Sequence, residues 1–171
     1  MPTPPIPTAK PELEQTDVWQ QGEDAFPKLR GSLTGDSRTE ARVCAVQCLF
    51  AAKASGVEVA EMAADLLDEV KARKADKVLF AVVTAEAGES AARYQTLIKA
   101  NLVDEWPFDR LDPVHIALLW AAAAELTARP ETPAKVVMNE FINIAKGFAS
   151  KPSEVGFINV VLEKMSVAIR G

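Results

Sequence analysis

The chain has 171 residues, 49% hydrophobic and 25% charged, with 19 basic against 24 acidic side chains and a formal net charge of −5. That length and apolar share imply one compact unit with a sizeable core and exclude an intrinsically disordered chain, while Gly 8 and Cys 2 exclude a collagen and a disulfide scaffold. The acidic balance excludes coating of nucleic acid by bulk charge, because phosphate affinity comes from Lys and Arg, and leaves a local basic patch open. No segment approaches the roughly 20 consecutive apolar residues that cross a bilayer, so no membrane association is expected. The N-terminus is Pro-rich rather than apolar and does not read as a signal peptide. Cys44 and Cys48 lie four apart in a helical pattern and read as reduced thiols of a cytoplasmic protein.

Residues 1–35 hold six of the eleven prolines and no sustained hydrophobic period. They cannot bury enough surface to offset their ordering entropy and read as a largely disordered extension, in which Trp19 and Phe26 are expected to dock on the body. From Ser37 onward the pattern is helix after helix. Ser37-Arg38-Thr39-Glu40 reads as a capping box opening a helix that ends at Gly56. A second helix is predicted from Val59 to Lys71, a third from Asp76 to Gly88, and a fourth over Ser90 to Ala100. Trp106-Pro107-Phe108 breaks the chain. Asp112 then caps and Pro113 starts a helix to Ala128 that is apolar almost all round, the pattern of a buried bundle centre. Thr132-Pro133 repeats the device for a helix to Phe148, and a last helix covers Ser153 to Ile169. The expected fold is all-α, about seven helices over residues 36–171.

The inventory gives no positive support for catalysis. His115 is the single histidine, and its place in the first turn of the most apolar helix suits a packed imidazole better than a ligand or a base. Two cysteines on one helix face supply half a metal site at most. The eight glycines form neither phosphate-binding pattern.

The order of motifs resembles the bacterial transcription antitermination factor NusB family. Ala41-Arg42-Val43-Cys44-Ala45-Val46-Gln47-Cys48-Leu49-Phe50 is similar to its first long helix. Leu111-Asp112-Pro113-Val114 and Glu125-Leu126 match the start and end of its central hydrophobic helix. Pro133-Ala134-Lys135-Val136-Val137-Met138-Asn139-Glu140 matches its Pro-x-x-Val-x-Ile-Asn-Glu signature, and Ala145-Lys146-Gly147-Phe148 and Phe157-Ile158-Asn159-Val160-Val161-Leu162-Glu163 follow in order.

The resemblance implies a NusB-like bundle of two packed helical subdomains that binds RNA without catalysis. It implies pairing with NusE, a small-subunit ribosomal protein, and binding of boxA RNA in antitermination complexes on RNA polymerase that transcribe ribosomal RNA and assist ribosome assembly. The family's opening arginine cluster is reduced here to Arg38 and Arg42. On a helical wheel these two and Lys53 fall within about 60°, sharing the stripe with Val46 and Leu49. The expected RNA contacts are Arg38 and Arg42 on phosphates, Gln47 and Phe50 on bases, and Lys53 and Lys146 as further cations. Asn139, Glu140 and Asn159 are expected to hold helix ends and interhelical hydrogen bonds. No cofactor is implied, and the oligomeric state is read as monomer or homodimer.

Two other readings compete. A divergent chain with this fold could act as a protein-interaction or self-association module with little RNA binding, as the thin basic stripe, Trp19 and Phe26 suggest. The RNA-binding domain of an rRNA methyltransferase is disfavoured because no catalytic segment follows Gly171.

Overall fold

The computed structural model describes residues 36–103 and 106–171, so the expectations for the extension, Trp19 and Phe26 included, lie outside the described residues. Those described form eight α-helices and a short 3₁₀ turn.

Helix α1, Ser37–Ser55, starts one residue earlier in its cap than the capping box predicts. Asp36 is the N-cap, and its carboxylate accepts hydrogen bonds from the amides of Arg38 at 3.1 Å and Thr39 at 3.0 Å. Glu40 is thereby released from any capping role and pairs with Arg73 at 3.4 Å. Gly56, with φ of 73°, ends the helix as expected because that left-handed conformation costs glycine little.

The helix predicted over residues 59–71 is two, α2 (Val59–Asp65) and α3 (Leu67–Ala72), divided at Leu66 where φ is −94° and ψ 4°. The division lets α2 pack on both α1 and α4 while α3 packs on α1. Helix α4, Lys77–Glu89, is capped by Asp76, which accepts from the Leu79 amide at 3.0 Å. It runs through Gly88, which the sequence suggested as a stop. Gly88 serves closeness instead: a Cβ there would lie 2.9 Å from the Val59 Cβ. Helix α5, Ala91–Ala100, and the 3₁₀ turn Phe108–Arg110 lead into α6, Pro113–Ala128, where Asp112 caps as expected by accepting from Val114 at 3.0 Å. Helix α7, Ala134–Phe148, follows Pro133 with no side-chain cap, so Thr132 does not fill that role. Helix α8, Pro152–Arg170, is opened by Glu154, whose carboxylate accepts from the Ser150 amide at 2.6 Å.

Helix α6 is the axis of the fold. It packs against α1, α4, α5, α7 and α8, and Ala121, Ala122, Ala123 and Ala124 are all without solvent contact. Alanine on every face lets neighbours approach from all directions. His115 is buried as a core side chain. The Arg170 guanidinium closes the α6–α7 corner by donating to the carbonyls of Leu126 at 2.9 Å, Arg129 at 2.9 Å and Thr132 at 2.6 Å.

Two predictions follow from this packing. In Gly88→Ala, overpacking against Val59 should cost about 1–3 kcal/mol and exceed the roughly 1 kcal/mol that alanine gains in helix propensity, leaving a net destabilisation; urea unfolding measures it. Burial pushes the Cys44 thiol up to about 11 and the Cys48 thiol up to about 12, so both stay protonated and unreactive toward a disulfide reagent at pH 8 until denaturant is added. Because these pKa values are raised, the stability linked to them is complete below the free-thiol range and is lost as pH climbs through 11 and 12.

Candidate nucleic-acid interface

The start of α1 was expected to present two arginines side by side, and the structure separates them. Arg38 is exposed in the first turn. Arg42 is 4% exposed and points inward. Its Nε donates to Glu125 Oε1 at 2.8 Å and its Nη2 to Glu125 Oε2 at 2.7 Å, a two-pronged pairing with a carboxylate that has no solvent contact. Its Nη1 donates to Glu140 Oε1 at 3.3 Å, and the Thr39 hydroxyl donates to the same oxygen at 3.0 Å. Burial opposes the charge on Arg42, but the hydrogen bonds and charge of Glu125 outweigh it and raise its pKa. The expectation of Arg42 as a phosphate contact is therefore corrected: two carboxylates already neutralise it, and protein covers it.

The remaining candidates disperse. Asp36, held below the usual carboxylate range chiefly by the Thr39 amide, occupies the amides at the helix start, so an anion near Arg38 meets the side chain rather than the helix terminus. Gln47 is half-buried, and its Oε1 is covered without a hydrogen-bond partner among the described residues. Phe50 is 7% exposed and belongs to the core, which corrects its reading as a stacking surface. Lys53 is exposed, but it lies fifteen residues beyond Arg38, about 22 Å along the helix. Lys146 is exposed on α7. It sits six residues past Glu140 and about 120° around the helix from it, so it points away from the α1 contact. Of the three residues expected to hold helix ends and interhelical bonds, Glu140 does so, while Asn139 and Asn159 are exposed.

Glu125 is the residue whose role the sequence reading missed. Its signal was a lone carboxylate near the end of an otherwise apolar helix, which demands a buried cation. The position of Val46 and Leu49 on the arginine stripe was the matching signal that its middle, around Arg42, faces inward, since both have no solvent contact.

The NusB family's sequence model matches residues 39–167. The chain belongs to the NusB family. Among solved structures, T. maritima NusB superposes with a TM-score of 0.64 at 20% identity, covering 79% of this chain and 93% of that one, a likeness that shows the shared fold. No curated protein matches the chain. Within this NusB-family fold, Arg42, Glu125 and Glu140 join three of the matched motifs, from α1, α6 and α7, into one network.

Arg42→Ala should cost about 3–5 kcal/mol, because it strands a buried charge on Glu125, whereas the paired replacement Arg42→Met with Glu125→Leu should recover most of that loss. Equilibrium urea unfolding of the two variants measures the difference.

Proposed function

We propose that this NusB-family chain is an RNA-binding transcription antitermination factor of the cytoplasm, acting on boxA-type RNA together with NusE during ribosomal RNA transcription and ribosome assembly. The observation that carries the reading is the family match across nearly all of the helical body. Arg38 and Lys146, both exposed, supply phosphate contacts from α1 and α7, and Gln47, half-buried with its Oε1 covered, has its NH₂ group to offer a base edge. With Arg42 taken up internally, the cationic surface on α1 is small, and the chain depends on its basic ribosomal-protein partner for much of its affinity.

The self-association reading draws on a different observation, the exposure of Val160 and Val167 seven residues apart on α8. A repeat of seven places both on one face. Light scattering separates the two readings: a concentration-independent dimer without RNA binding at low salt favours self-association.

In gel-shift titrations, boxA-containing RNA should bind more tightly than scrambled RNA, and NusE should strengthen the complex. Arg38→Ala should flatten the dependence of log affinity on log salt by about 0.7, one phosphate contact on a single strand. Equal binding of scrambled RNA and no gain from NusE would sink the proposal.

A further inference from the structure

A preformed open cavity of about 170 Å³ lies at the far end of α1 from Arg38, with Lys53, Glu58, Gln95, Phe108, Ile116 and Trp120 among its walls. These residues come from α1, the turn into α2, α5, the 3₁₀ turn and α6. The Trp120 indole is fixed by donating to the Ala87 carbonyl at 3.1 Å. Phe108 is held under the Lys99 ammonium, 4.8 Å from its ring centre. Both rings are half-buried, with part of each open to solvent, which is the property that Phe50 lacks.

Size and polarity narrow the occupant. An apolar cavity of about 150 Å³ accepts a benzene molecule, so this one has room for a single six-membered ring. Gln95 lines it with an amide that forms no hydrogen bond to another described residue, and Lys53 forms no ion pair among them. An apolar side chain pressed into the cavity would leave the Gln95 amide covered and unpaired, which is unfavourable. A ring with a polar edge and a phosphate beside it satisfies the amide and the ammonium together.

We infer that this cavity holds one unpaired pyrimidine of a single-stranded RNA, its ring against Trp120 and Phe108, its edge at the Gln95 amide and its phosphate at Lys53. Glu58 repels a phosphate on its side of the rim, so the strand passes on the side of Lys53 and Lys99. The inference rests on the RNA-binding reading and gives it a second contact region, away from Arg38.

The test uses the full chain and hexauridylate carrying one 4-thiouridine. Irradiation followed by peptide mapping should place the crosslink on the segment holding Phe108 or Trp120. Ala91→Phe, which fills the cavity from its α5 wall, and Gln95→Leu should each weaken hexauridylate binding at least about fivefold, the loss of one stacked base, with unchanged thermal melts. Hexaadenylate should bind the parent less tightly than hexauridylate. Crosslinks confined to the segments of Arg38 or Lys146, or undiminished binding by both variants, overturn the inference. If RNA binding then still falls with Arg38→Ala, the antitermination reading survives alone; if the parent chain binds no RNA at low salt, both fall. Binding of a phenylalanine-bearing peptide in preference to hexauridylate, displaced by Ala91→Phe, would mark the cavity as a protein contact and also overturn it.

Discussion

Glu125 has no contact with solvent and sits in a helix whose buried neighbours are mostly alanine and aliphatic side chains, so its charge has to be met from outside α6. Arg42 meets it with two hydrogen bonds from α1, and its remaining arm reaches Glu140 on α7. The apolar contacts around α6 are numerous, but alanine surfaces offer shallow ridges and tolerate sliding. A two-pronged ion pair does not. It fixes the rotation of α1 and the height of α6 in one setting, and through Glu140 and Thr39 it sets α7 as well. Desolvating both charges costs much of what their attraction returns, so the contribution lies in defining one arrangement more than in raising stability.

This arrangement alters what the acidic composition means. One of the few basic residues near the start of the body is spent inside it, which leaves a surface poorer in cations than the count of 19 basic side chains suggests. On α1 and α7, the helices expected to meet RNA, the exposed cations Arg38, Lys53 and Lys146 stand apart instead of forming a continuous basic stripe, while a denser exposed group, Lys71, Arg73, Lys74 and Lys77, lies around the turn from α3 into α4. A chain of this kind gains little from bulk attraction to phosphate. It must recognise RNA through shaped contacts or share the task with a basic partner.

Much of the fold was legible in the sequence because its punctuation is local. Gly56, Asp76, Asp112 and the Pro113 start each act within one turn, and α1, α4 and α6 begin or end where those residues dictate. The break at Leu66 was not legible, since Asp65-Leu66-Leu67-Asp68 carries no glycine or proline and the division answers to packing against α1 and α4. Gly88 misled for the related reason that its missing side chain serves Val59, a neighbour distant in sequence. The site was read less well than the fold. A helical wheel gives the direction of Arg42 on α1 but not which helix lies in that direction, and Phe50 was assigned a surface role on the same incomplete information.

Arg170 draws a different kind of consequence from the same architecture. It holds three carbonyls at the α6–α7 corner, some forty residues upstream of it in the chain. During synthesis those carbonyls leave the ribosome well before the side chain that satisfies them. Until α8 docks, the corner must rely on water for its hydrogen bonds, and the apolar face of α7 lacks its neighbour. The α6–α7 corner is therefore completed only when the end of α8 docks, so its hydrogen bonds depend on residues made about forty positions later in the chain.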